Sequence, residues 1–429
     1  MLCKQLLFSS ILILVLFSFS LISSVAASSL MWNQTYGGTN PDKAYSLVET
    51  SDGGYAIAGY TTSFGAGNSD FWLVKTDADG NMLWTKTGGG SGTGYVRSLI
   101  ETSDGGYAMA GHTYVFLVRL DDFWLIKTDA TGNEQWQRTY GGAATFESAY
   151  SLVETSDGGY AIAGYTTPVG AGDDDCWLIK TDSNGYIQWN QTYGGTSKDV
   201  AYSLIETSDG GYAIAGQTES FGAGNSDFWL IKTDIHGNVE WNQTYGGAEA
   251  EYAQSLVETS DGGYAIAGYT TSFGAGNSDF WLVKTDANGN MEWNQTYGGT
   301  NPDKAYSLVE TSDGGYAIAG YTTSFGAGNS DFWLIKTDIH GNVEWNQTYG
   351  GAEAEYAQSL VETSDGGYAI AGYTTSFGAG NSDFWLIKTD EMGNVPEFPS
   401  WLFLPLFLVA TSFAVITKKK AFCRVKRTN

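Results

Sequence analysis

The string SDGGYA begins at Ser51, Ser103, Ser156, Ser208, Ser260, Ser312 and Ser364, at spacings of 52 or 53 residues. A unit written seven times over must bury its apolar face against copies of itself, so the period limits the chain to repeat architectures. W-x-x-T recurs in step at Trp32, Trp84, Trp136, Trp189, Trp241, Trp293 and Trp345. A second tryptophan marks each unit at Trp72, Trp124, Trp177, Trp229, Trp281, Trp333 and Trp385. With Trp401 these exhaust the 15 tryptophans, and most of the 57 glycines also belong to the unit.

Each unit carries four strand signals. In the first, AYSLVET (44–50) and YAIAGYT (55–61) flank the tight turn SDGG, whose glycines permit positive φ. FWLVKTD (71–77) and NMLWTKT (81–87) flank a turn ending in Gly80. No segment has helical periodicity or caps. Four strands per ~50-residue unit predict an all-β fold, a seven-bladed β-propeller with four antiparallel strands per blade. The chain starts on a WNQTYGG strand and the seventh unit stops after FWLIKTD (384–390), so residues 32–36 are expected to complete the last blade and close the ring.

SDGGYAIAGYTTSFGAGNSDFWLVKTDADGNMLWTKT is similar to the SBBP repeats, named for a seven-bladed β-propeller. All seven units match, over residues 31 to 395. The resemblance implies the propeller fold and surface-protein modules, and it assigns no activity. A fainter likeness to quinoprotein blades, in D-x-x-G-x-x-x-W, brings no cofactor residues with it. A net charge of −26 argues against a nucleic-acid partner, which needs a cationic face. Three Cys and three His leave little for a disulfide scaffold or a zinc site.

Both ends read as targeting segments. Lys4, an apolar run from Leu6 to Ile22, and Val25 and Ala27 before Ser28 predict a signal peptide over residues 1–27. The propeller is expected over 28–395, a short linker over 396–400, a transmembrane helix over 401–417 and a basic cytoplasmic tail over 418–429. Pro396, Glu397 and Phe398, followed by the apolar span and basic end, resemble archaeal sorting signals of the PEF-CTERM type. That resemblance implies a tail cut and exchanged for lipid; a plain stop-transfer anchor is the alternative. Either places the body at the cell surface.

Four acidic positions recur in every unit, headed in the first by Glu49, Asp52, Asp70 and Asp77; Lys75 heads the one recurring basic position. The seven glutamates (Glu49, Glu101, Glu154, Glu206, Glu258, Glu310, Glu362) form either an ion-binding collar or ordinary partners for a repeat lysine or backbone N–H groups. Asp52 and its counterparts read as turn formers. DADGN (77–81) has the flavour of a calcium loop, but most copies lack its second carboxylate, and a hairpin turn is the expectation. His236 and His340 fall in this turn in separate units, and Cys176, in place of a repeat Phe, reads as a buried thiol.

Recognition is expected where copies differ. The connections that lead into the first strand and that join the second strand to the third share one face and vary most, so the binding surface is placed there. Phe64, Phe221, Phe273, Phe325 and Phe377 form an aromatic crown on Gly-rich loops or tuck between blades. The second-unit connection, with His112, Tyr114, Phe116, Arg119 and Asp121, departs furthest from the pattern and is the best single candidate for a dedicated site. Asp173, Asp174 and Asp175 are candidate Ca²⁺ ligands or solvated charge. NQT sequons at Asn33, Asn190, Asn242, Asn294 and Asn346 predict glycans on the outermost strands.

These features point to a surface-anchored binding, adhesion or envelope module without catalysis or cofactor, its partner a cell-envelope glycan or protein. The alternative is an exported propeller enzyme, a glycoside hydrolase or lyase, and behind it a quinone-dependent oxidoreductase. Residues 227–256 and 331–360 are letter-for-letter identical, which suits a duplicated array better than position-specific catalysis.

Overall fold

The computed structural model describes residues 31–90, 92–115, 120–142, 145–167 and 173–395. The signal, sorting, membrane and tail segments, with Pro396, Glu397, Phe398, Phe116 and Arg119, lie outside the described residues. Within them the chain forms strands β1 to β28, paired in seven four-stranded sheets. The first blade contains β2 (Asp42–Glu49), β3 (Tyr55–Thr61), β4 (Asp70–Thr76) and β5 (Met82–Gly88), all antiparallel. In the last sheet β1 (Trp32–Tyr36) lies beside β28 (Asp383–Lys388), after β26 (Glu355–Glu362) and β27 (Tyr368–Thr374). The N-terminal strand thus closes the ring, as the repeat phase predicts.

Burial follows radial position. Every residue of β4 is buried, because both faces of a third strand meet a neighbouring blade. The outermost β5 instead alternates exposed and half-buried residues. Gly53 (φ 81°) and Gly80 (φ 76°) supply the left-handed turns that let one strand fold straight back on the next.

First strands neighbour one another around the axis. Each has a bulge at its centre: pairing jumps from Ala44 to Ser46 in β2, leaving Tyr45 without a cross-strand partner. Counterparts of Tyr45 are Arg97, Tyr150, Tyr202, Gln254, Tyr306 and Gln358. The next residue, Ser46, turns its Oγ to accept the Leu99 N–H of the next blade at 3.0 Å. The bond recurs around the ring and closes with Leu47 N–H donating to Ser359.

Blades adhere through aromatic pairs. Trp281 packs on Phe228 of the preceding blade with centroids 4.6 Å apart, and Trp72 on Phe384 does the same across the closure. The outer Trp84 meets Tyr107 edge-on at 5.8 Å, a contact repeated from blade to blade. A buried tryptophan removes ~150–250 Å² from water, worth up to about 4–6 kcal/mol. These contacts dominate the adhesion between sheets.

The glutamates resolve to the ordinary reading. Glu101 accepts the Ser51 N–H and hydroxyl of the preceding blade at 2.7 and 2.8 Å, and Glu49 accepts the same pair from Ser364 across the closure. They are clasps between blades, and their partner is this serine rather than the repeat lysine. That lysine is itself buried and ion-paired with the SDGG aspartate: Lys336 with Asp313 at 2.8 Å. Burial pushes the Asp313 pKa up, but the Lys336 ammonium, the Thr311 hydroxyl and the Gly315 N–H outweigh it and bring it down to about 2. A depressed carboxyl pKa stabilises the fold above its unfolded value near 4 and ceases to do so as pH falls toward 2. Asp313→Asn is therefore expected to lower the thermal midpoint at pH 6 and to lose most of that deficit by pH 2; a deficit constant over this range contradicts the ion pair.

Candidate functional site at the axial mouth

The bulge and the end of the second strand combine at the long-connection end of the axis. Lys43 of β2 stands opposite Tyr60 of β3, and the bulged Tyr45 lies 6.0 Å from Tyr60, centroid to centroid. Tyr60 then meets Tyr95 of the next blade edge-on at 4.7 Å. The same positions bring Tyr150 against Tyr165 and Tyr202, Tyr252 against Tyr269, and Tyr306 against Tyr321. Tyr321 continues to Tyr356, and Tyr356 to Tyr373 in the last blade. The result is a belt of half-buried tyrosines lining the axial mouth.

Three cations interrupt the belt, each over a tyrosine face. Arg97 lies 4.1 Å from the Tyr45 centroid, Lys43 4.4 Å from Tyr373 and Lys304 4.3 Å from Tyr269. Burial, joined at Lys43 by the Arg97 charge, lowers the pKa of both lysines. Burial also raises the pKa of Tyr45, Tyr60, Tyr165, Tyr202, Tyr269, Tyr306 and Tyr373, and brings that of Tyr321 to about 12. Those hydroxyls therefore stay protonated and serve as hydrogen-bond groups, not bases. In chemical terms the mouth offers π-faces, phenolic hydroxyls and positive charge. In blade 1 the carboxylate next to Lys43, Asp42, is buried and occupied by the Thr61 hydroxyl and the Thr62 and Ser63 N–H groups at 2.5 to 3.3 Å.

His112 is a correction to the sequence reading. It lies in strand β7 (Tyr107–Val115), in the place of Tyr60, and belongs to the belt rather than to a loop. Its ring is 5.0 Å from that of Tyr95, and Nδ1 is 2.9 Å from Ser148 Oγ. Burial, then the Arg97 charge, brings its pKa down to about 4. Tyr114 is also a strand residue, paired in register with Asp121 of β8 (Leu120–Thr128), so blade 2 extends its hairpin where other blades carry a Gly-rich loop.

Phe64 is 44% exposed and rests on Trp72 of its own blade at 5.2 Å, with Phe221, Phe273, Phe325 and Phe377 placed alike. One face is spent on a tryptophan and the rest is open on the long-connection face. The loops carrying them are tied down by the recurring third-strand aspartate: Asp227 Oδ2 accepts the Ala223 and Gly224 N–H groups at 2.9 and 3.1 Å.

Asp173, Asp174 and Asp175 do not converge. Asp173 is exposed, Asp174 pairs with Lys198 at 3.4 Å, and Asp175 is a buried strand residue. Among the described residues no group of three His, Cys, Asp or Glu side chains is arranged to hold a metal ion. In the calcium-like turn, Asp77 Oδ1 accepts the Asp79 and Asn81 N–H groups, making it a hairpin turn. His236 and His340 stand in the same turn of separate blades. Cys176 is buried against Trp229, and burial pushes its thiol pKa up.

The sequon asparagines have a structural duty. Asn190, Asn242, Asn294 and Asn346 are exposed on fourth strands, and each Oδ1 accepts the indole N–H of its third-strand tryptophan at 3.1 to 3.2 Å. Asn33 is exposed on β1.

No family model matches the chain. It is 25% identical over 261 residues to the regulatory protein FlaEY of Caulobacter vibrioides, over 52% of this chain and 27% of that protein's length. Among solved structures it is similar to Sqt1 of Chaetomium thermophilum (TM-score 0.44, 12% identity, 86% of this chain and 88% of that one). Puromycin hydrolase (TM-score 0.49, 13% identity) matches over 79% of this chain and 51% of its own. A Dyadobacter fermentans protein of unknown function (TM-score 0.45, 10% identity) matches over 83% and 96%. Likenesses at this identity speak to the fold alone.

The belt yields one direct expectation. In an NMR pH titration the His112 ring, assigned by its loss in His112→Asn, should titrate near pH 4 and stay neutral at pH 7; a midpoint above 6 contradicts its burial beside Arg97.

Proposed function

We propose that the protein is a non-catalytic binding module whose axial mouth takes an acidic glycan, presented outside the cell by an exported, C-terminally anchored chain. The observation that carries this reading is the tyrosine belt with Arg97, Lys43 and Lys304 seated in it. Aromatic faces stack on the apolar faces of sugar rings, phenolic hydroxyls exchange hydrogen bonds with sugar hydroxyls, and the cations attract a carboxylate or sulfate. The surrounding surface is acidic, so these cations supply the local complementarity that selects an anionic group at this one place. The exposed phenylalanines widen the platform on the same face.

Catalytic alternatives need a carboxylate pair open to substrate. The acidic residue behind the belt in blade 1, Asp42, is buried and engaged with loop hydroxyl and N–H groups, which favours binding over hydrolysis. The test is a glycan array with the purified full chain, followed by calorimetry on the acidic glycans retained. Arg97→Ala is expected to weaken binding at least tenfold, about 1.4 kcal/mol, while leaving the thermal midpoint within a few degrees. Chromogenic glycosides should stay intact. Hydrolysis that a single Asp or Glu substitution abolishes would establish the enzyme reading instead.

A further inference from the structure

One blade junction differs from the others. At the end of the fourth strand, Tyr36, Tyr140, Tyr193, Tyr245, Tyr297 and Tyr349 are each buried between two blades. Their hydroxyls donate to the carbonyls of Gly80, Gly185, Gly237, Gly289, Gly341 and Gly393 in the following blade, at 2.6 to 2.8 Å. In blade 1 the corresponding residue is Gly88, in register with Phe71 where Tyr140 stands opposite Phe123. Among the described residues the matching carbonyl, that of Gly132, receives no tyrosine hydroxyl.

A cleft of about 520 Å³ opens there, lined by Phe71, Gly88, Trp124, Gly132 and Gln137 among others. Phe71 has moved toward the missing ring. Its centroid is 5.5 Å from that of Trp124, against 4.8 Å for Phe123 on Trp177, and it is 6% exposed where Phe123 is fully buried. A Cβ built on Gly88 would lie 2.5 Å from Phe71 Cε1, the movable edge of that ring.

We infer that this cleft between blades 1 and 2 is a binding site for a para-substituted phenol. The six complete junctions show the fit: an aromatic ring between the blades with its hydroxyl on the glycine carbonyl of the next turn. Entry of the ring returns Phe71 to the position its counterparts hold against tryptophan. An apolar cavity of only ~150 Å³ already takes benzene, so one aromatic ring fits this cleft with room for its substituent. The hydroxyl separates a phenol from a plain arene, because a ring without it leaves the Gly132 carbonyl unpaired beneath the ligand.

The probes are p-cresol and N-acetyl-tyrosinamide, with toluene as the control, titrated into the full chain by calorimetry and ligand-observed NMR. p-Cresol should bind, toluene about fivefold or more weakly, and the p-cresol ring protons should give nuclear Overhauser contacts to Phe71. Binding of both phenols points to a tyrosyl side chain as the natural occupant, and binding of p-cresol alone to a free phenol; each supports the site. Gly88→Tyr should abolish binding and raise the thermal midpoint. Absence of p-cresol binding, equal affinity for toluene, or binding undiminished in Gly88→Tyr overturns the inference. Should that variant not fold, the Phe71 contacts in the parent chain decide alone, and their absence from bound p-cresol is equally fatal.

Discussion

Everything in this molecule depends on the tryptophan of one third strand packing on the third-strand side chain of the blade before it, a phenylalanine at every junction but that of Cys176 with Trp229. A four-stranded sheet of about fifty residues cannot bury both faces by itself. Trp281 on Phe228 and its equivalents make each blade the missing half of its neighbour's core. The polar clasps, Glu101 on Ser51 and Ser46 beneath the Leu99 N–H, are worth about 1 kcal/mol each where solvent reaches them. They set the angular spacing of the blades and leave the adhesion to the aromatic layer. Closure by β1 matters for the same reason, since without it the last blade would keep an open edge.

The architecture was legible because it is written seven times. Spacing, hairpin glycines and the phase of WNQTYGG suffice to give blade number, strand order and closure, and the strands of the first blade start and stop within two residues of those expected. Loss of alternation in a buried strand such as DFWLVKT did not obscure its type, since aromatic and β-branched residues carry the signal.

The axial mouth was not legible, and the reason is the bulge. Strict alternation along DKAYSLVE cannot show that one residue slips out of register and turns Tyr45 toward the axis, because the bulge leaves no mark on composition. His112 was misplaced through the same blindness: the departure of blade 2 from the repeat reads as a loop, whereas the chain there prolongs a hairpin. The sequence signal that could have found the belt is the variation itself. Tyr45 is replaced by Arg97 and Gln254, and Tyr60 by His112 and Gln217, while the adjoining Ser46 and Gly59 positions hold in every unit. Gly88 was legible in the same way, as the missing tyrosine in TKTGGG, but its consequence needs the neighbouring blade.

Repetition thus supplies a rigid ring, and departures from it supply individuality: cations within the tyrosine belt, an extended hairpin in blade 2, an open junction between blades 1 and 2. The most direct test of this account is a crystal structure of the chain soaked with an acidic oligosaccharide. The account predicts the sugar in the axial mouth, a ring stacked on a belt tyrosine and its anionic group within hydrogen-bond distance of Arg97. Sugar seated against an open carboxylate pair, or only on the outer rim, would contradict it.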